Sequence, residues 1–97
     1  MKVYMGGRSL EGAVVTVDDV PLDPRFDIAV YCRAGFEWTY AGAGPRQLAL
    51  ALLADHLGDP ARALALAEPF MHAVVAELDN AWRLTDADID AALARLP

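Results

Sequence analysis

The sequence predicts an α+β fold: a small antiparallel sheet of about three or four strands, with about three helices packed mainly on one of its faces. Three observations predict it. The residues before Pro45 carry short β-type runs broken by Asp, Pro and Gly. From Pro45 onward the chain is dominated by Ala/Leu runs of helical period. Between the two, Phe36 to Tyr40 alternates aromatic and polar residues, and Ala41-Gly42-Ala43-Gly44 then leads into Pro45. That order reads as strand, flexible turn and helix start, since proline is tolerated where the helix's first N–H is unpaired anyway. With 97 residues and 56% hydrophobic content, the chain suffices for one packed core and so for one domain spanning residues 1–97.

Taken in order, Lys2 to Met5 predicts a strand ended by Gly6-Gly7, and Arg8 to Gly12 a connection. Ala13 to Val17, rich in β-branched residues, predicts a second strand close enough to pair with the first as a hairpin. Asp18-Asp19 signals a turn, Val20-Pro21-Leu22 an extended piece, and Asp23-Pro24 another turn. Phe26 to Tyr31 alternates weakly and reads as a loop rather than an edge strand. Phe36 to Tyr40 reads as the next strand, with Phe36, Trp38 and Tyr40 directed at the core and Glu37 and Thr39 outward. Pro45 to Leu57 is apolar on nearly every face, which predicts a mostly buried helix stopped by Gly58. Asp59-Pro60 supplies an N-cap and first residue for a second helix running towards Leu78, with Leu64, Met71, Val75 and Leu78 on one face. Pro69 removes one hydrogen bond within it and predicts a bend or break near Ala65 to Glu68. Asp79-Asn80 turns the chain, and Trp82-Arg83-Leu84 is a short strand or extended link. Thr85 to Asp88 forms a capping box for a last helix that packs Ile89, Leu93 and Leu96 inward.

No catalytic constellation emerges. His56, His72 and the single Cys32 sit on separate elements without ligand spacing, which gives no zinc site, and one cysteine allows no internal disulfide. Asp86, Asp88 and Asp90 begin like a calcium loop, but Ala91 replaces the required glycine and Pro97 the bidentate glutamate. The turn Gly42-Ala43-Gly44-Pro45-Arg46-Gln47 resembles a dinucleotide-binding turn, yet Gln47 stands at its third glycine and no strand follows to carry a ribose-binding acid. No lysine closes that turn as a P-loop would require. The expectation is a protein that is not an enzyme and needs no cofactor or metal. Its net charge of −6 argues against direct contact with nucleic-acid phosphates and favours a protein partner with a basic surface. Asp18, Asp19, Asp23 and Asp27, four loop carboxylates with only Arg25 among them, are the candidate contact residues, joined by Glu37. The same aspartates also suit turn geometry, so both readings stand at this point. The apolar runs are too short for a membrane span and nothing resembles a signal peptide, which suggests a cytoplasmic protein.

The run Gly35-Phe36-Glu37-Trp38, Tyr40, Gly42, Gly44-Pro45 and Gln47-Leu48-Ala49-Leu50-Ala51 resembles the central motif of an uncharacterised family of small domains found in phages, plasmids and bacterial genomes. Val3-Tyr4, Gly7-Arg8-Ser9-Leu10, Val15-Thr16-Val17-Asp18, Pro21-Leu22, Trp82-Arg83-Leu84-Thr85 and Asp88-Ile89 extend the resemblance over nearly the whole chain. Thr39, Ala43 and Arg46 depart from it, standing where Gly, Ser and Ala are expected. What the resemblance implies is a mobile-element context, inside a bacterial host cell. In size and charge the chain also resembles small acidic anti-CRISPR proteins, which implies an inhibitor seated on the nucleic-acid-binding surface of a CRISPR–Cas effector complex. Two alternatives are a self-associating accessory domain, dimerising through its Ala/Leu helices, and a nucleotide-binding domain built on Gly42–Gly44.

Overall fold

The computed structural model describes residues 1–96, and Pro97 lies outside them. Strands β1 (Val3–Ser9), β2 (Gly12–Val17) and β3 (Val20–Pro21) are followed by helices α1 (Ala43–Leu57) and α2 (Pro60–Ala73). A 3₁₀ turn at Val75–Glu77, strand β4 (Trp82–Thr85) and helix α3 (Asp86–Ala94) complete the order. The four strands form one antiparallel sheet in the order β3-β2-β1-β4. Tyr4, Val15 and Trp82 alternate onto a covered face, while Met5 and Val14 on the opposite face stay exposed. The α+β class, the antiparallel sheet and its one-sided covering are therefore as the sequence predicts.

Gly6 is not the strand breaker that the sequence suggests. β1 runs on to Ser9, and Gly6 lies opposite Trp82 across the β1–β4 ladder. The Trp82 indole lies on the Gly6 backbone so closely that a Cβ there would stand 2.3 Å from its ring atoms. Trp82 in turn meets Trp38 edge to face, with ring centroids 5.8 Å apart. The glycine is thus a seat for an aromatic side chain. Beyond Ser9 only Leu10 and Glu11 turn the chain, so the expected connection from Arg8 to Gly12 shrinks to a tight hairpin. At the next hairpin Asp18 and Asp19 both take positive φ, 48° and 68°, the pair of left-handed residues that a two-residue turn needs to match strand twist.

Phe36 to Tyr40 is not a strand, against the expectation from its alternation. Its backbone polar groups find other partners: Arg8 Nη2 donates to the Trp38 carbonyl (3.3 Å), and the Thr39 N–H donates to the Val75 carbonyl (3.3 Å). Thr39 at φ 81° breaks the pleat. Trp38 is fully buried as expected, whereas Phe36 is partly buried and Tyr40 is exposed. Phe26 to Tyr31 is a loop, as read.

α1 is the centre of the core. Every residue from Gln47 to Ala54 is buried, because the sheet, α2 and the loop preceding the helix leave it no open side. Gly58 in the left-handed conformation ends it, returning its N–H to the Ala54 carbonyl. In α2 the Asp59 side chain caps the Arg62 N–H, and the helix passes Pro69 unbroken before giving way after Ala73. Its buried stripe is Ala63, Ala67, Phe70 and Met71; Met71 and Val75 are buried and Leu78 packs against the core as expected, and only Leu64 of that expected face is exposed. The two alanines, one turn apart, let α2 lie close against α1. Thr85 and Asp88 form the predicted capping box of α3, and Ile89 is buried with Leu93 and Leu96 packed at its side.

Candidate functional site

Three places in this fold concentrate polar chemistry. The first is built where β1 begins and α1 ends. Tyr4, alternating inward, sends its hydroxyl to Asp55 in the last turn of α1 (2.7 Å). Lys2, one residue outside β1, reaches the same carboxylate at 3.0 Å. Asp18 is held alongside by the strand ends: its N–H donates to the Val3 carbonyl (2.8 Å) and its Oδ1 accepts from the Val3 N–H (2.9 Å). Asp86 opens α3 by donating its N–H to the Lys2 carbonyl (3.2 Å). Burial, reinforced by the hydrogen bond to Asp55 and the nearby charges of Asp55, Asp86 and Asp18, pushes the Tyr4 hydroxyl well above the usual tyrosine range. Asp23 and Asp55 line an adjoining hollow of about 390 Å³ together with Val17, Leu22 and Arg25.

The Tyr4 environment has a consequence for stability. A phenol that stays neutral in the folded state contributes stability that is complete below the unfolded pKa, about 10, and is lost as pH rises beyond it. The unfolding midpoint in urea is therefore expected to fall between about pH 9 and about pH 11 (about one unit either side of the free phenol). In Tyr4→Phe that fall is expected to be shallower, although the variant is less stable at neutral pH for want of the Asp55 bond. An alkaline decline identical in both chains would contradict this.

The sequence-predicted contact residues are distributed unevenly. Asp18 joins the cluster around Tyr4, and Asp23 lines the hollow beside it. Asp23 also accepts the Arg25 N–H at 2.8 Å, an Asx turn. Asp27 is paired with the Arg25 guanidinium (3.0 and 3.1 Å), which holds its carboxyl below the usual carboxylate range. Asp19 turns instead onto the exposed face of the sheet, where it lines a groove with Met5, Val14 and Thr16. Glu37 belongs to neither group, because it lies at the far end of β1. Asp55 and Asp86 are the members sequence reasoning missed, as a helix end and a helix start far apart in the chain meet only in the folded state.

The second place is Arg8, near the end of β1. It ion-pairs with Glu37 (2.5 Å), donates from Nε to Asn80 Oδ1 (2.7 Å), and lies over the Trp38 ring at 4.3 Å from its centroid. Trp38 Nε1 donates to the Asn80 carbonyl (3.0 Å). This forked guanidinium joins three chain segments and consumes Glu37 internally.

The third is the start of α1. Gly42 is its N-cap and supplies no side-chain acceptor. A cleft of about 530 Å³ opens there between Tyr31, Gly42, Ala43, Arg46, Glu68 and His72. Arg46 stacks on Tyr31 (4.2 Å to the centroid), and Glu68 stands 3.0 Å from Arg46 Nε and 3.1 Å from His72 Nε2. One carboxylate thus meets both the Arg46 guanidinium and the His72 ring. Gly44 is closed off by Glu37, whose Cβ would lie 2.8 Å from a Cβ at that position. Gln47, at the position of the third glycine in a dinucleotide turn, faces away into the core as a hydrogen-bonding hub for the loop before α1. With no strand before it, this turn lacks the strand–turn–helix context of a dinucleotide site.

Among the described residues no group of three or more His, Cys, Asp or Glu side chains is placed to hold a metal ion, and no helix is long and apolar enough to cross a membrane. What the fold and its polar clusters define is a small α+β protein with an acidic end. The chain belongs to a family of unknown function, DUF6166, whose sequence model matches residues 4–95. No curated protein and no solved structure matches it significantly.

Proposed function

We propose that this chain is a non-catalytic binding module whose acidic end occupies a basic, nucleic-acid-binding surface on a protein partner. The observation that supports this reading is the gathering of Asp18, Asp55 and Asp86 around the Tyr4 hydroxyl, with Asp23 beside them, at the C-terminal end of α1. Asp55 stands there at the negative pole of the α1 dipole, where a carboxylate opposes the intrinsic field, whereas Asp86 opens α3, where its charge is complemented. Lys2 answers only part of that charge, through Asp55, and the nearby Arg25 guanidinium is paired with Asp27. A surplus of carboxylates gathered at one end of the fold, in a chain of net charge −6, is suited to steering towards Arg and Lys on a partner. The concrete form of the reading is an inhibitor carried by a phage or plasmid and acting inside the bacterial host. Seated on a CRISPR–Cas effector complex, it would deny target DNA its binding channel.

The test is capture from a bacterial host lysate by the immobilised chain, at low and at raised salt, beside the variant D23N/D55N/D86N. Asparagine keeps the acceptor oxygens for Arg25 N–H, Tyr4 and Lys2 while removing charge. The expected result is stoichiometric, salt-sensitive capture of a basic nucleic-acid-binding protein or complex by the parent and at least tenfold less by the variant, about 1.4 kcal/mol or more. Equal capture by both chains, or none at either salt, would sink the reading.

A further inference from the structure

Helices cover one face of the sheet and leave the other open. Met5 and Val14 project from it at 46% and 51% exposure, and Gly7, beside Val14 in the β1–β2 ladder, has nothing within 4 Å of where its Cβ would be. Met5, Gly7, Val14, Thr16 and Asp19 line a groove of about 410 Å³ on this face. At its two edges stand opposite charges. Asp19 sits in the β2–β3 turn, and Arg83 alternates outward from the exposed edge strand β4, opposite Met5. Among the described residues neither side chain makes an ion pair or a hydrogen bond.

We infer that this face is a homodimer interface, in which two copies pack sheet on sheet about a two-fold axis parallel to the strands and running between β1 and β2. The arrangement is self-complementary at every level. Such an axis exchanges the ladder partners of β1 and β2, so Val14 of one copy stands over the Gly7 hollow of the other, and Met5 stands over Thr16. It also places the β4 edge of one copy over the β3 edge of the other. Arg83, level with Thr16 and Pro21 through the ladder, then lies within about two residues' rise, roughly 7 Å, of the other copy's Asp19. Sheets packed face to face stand about 10 Å apart, a gap that Met5, Val14 and the Arg83 side chain can fill. Helix α1, by contrast, cannot serve as the dimer surface suggested by its composition, because it is consumed by the core.

Sedimentation velocity over a concentration series tests this. The parent chain is expected to move from monomer to dimer as concentration rises. Gly7→Val, which adds a side chain into open space, Val14→Glu and Arg83→Glu are each expected to weaken dimerisation at least tenfold while far-UV circular dichroism stays unchanged. Asp19→Lys is expected to do the same, and the double variant R83E/D19K to recover the dimer by reversing both charges. A parent that stays monomeric throughout, a dimer indifferent to Val14→Glu or Arg83→Glu, or a charge reversal that recovers nothing overturns the inference.

Discussion

Replacing Gln47 with alanine is expected to destabilise the fold by about 3–5 kcal/mol, a large part of the roughly 5–15 kcal/mol available to a domain of this size. Gln47 is fully buried in α1 and uses both ends of its amide. Its Oε1 accepts from the Tyr31 N–H (2.7 Å) and the Cys32 N–H (3.2 Å). Its Nε2 donates to the Pro24 carbonyl (2.7 Å) and the Ala29 carbonyl (3.1 Å). One side chain therefore satisfies four backbone groups of the irregular loop between β3 and α1, where no strand or helix could. Without it those groups are left unpaired against the core, unless the loop opens to water. Gln47→Glu sharpens the prediction. A buried carboxylate can still accept from Tyr31 and Cys32 but presents its charge to two carbonyl oxygens, so its folded pKa rises above the unfolded value. Stability is then fullest below the ordinary glutamate pKa, about 4.3, and is lost as pH rises through the folded value. Urea unfolding followed by tryptophan fluorescence should show Q47E falling further behind the parent at pH 7 than at pH 4, near that ordinary value. A variant equally stable relative to the parent at both pH values would contradict the four-bond hub.

The second large effect is expected at Gly6. A methyl group there meets the Trp82 indole at 2.3 Å, and the contact atoms belong to a rigid ring wedged against Trp38. The ring must leave its seat, so Gly6→Ala is expected to cost about 2–4 kcal/mol, overpacking joined to lost aromatic contact. The test is a double-mutant cycle. In a Trp82→Ala background the same Gly6→Ala change should cost nearly nothing, or stabilise slightly, since alanine loses less backbone entropy than glycine in a strand. Additive effects of the two substitutions would show that the glycine matters for another reason.

These two residues also mark what was legible in the sequence. The fold class was, because strand-type runs, the helical Ala/Leu period, the Asp59-Pro60 start, the Gly58 stop and the Thr85–Asp88 capping box are local signals. Gly6 was misread because a glycine that ends a strand and one that receives a tryptophan look alike until the partner strand, some 76 residues later, is in place. Gln47 carried a signal that could have been followed further: a lone amide in a helix apolar on every side must be satisfied by something outside that helix. Phe36 to Tyr40 misled because alternation speaks only for side chains. Its backbone bonds go to Arg8 and Val75, and neither choice is visible locally. The acidic end was half legible: Asp18 and Asp23 lie in one stretch of sequence, while Asp55 and Asp86 join them only through α1 and α3. Glu37 was drawn out of the set by Arg8.

The most direct test of the acidic end as a mimic of nucleic acid is competition on the captured partner. The partner is loaded with its own nucleic acid and titrated with the parent chain or with D23N/D55N/D86N, and release is followed by fluorescence anisotropy. Displacement by the parent, weakened at least tenfold in the variant and reduced by salt, is the predicted result. A stable ternary complex in which protein and nucleic acid bind together would contradict it.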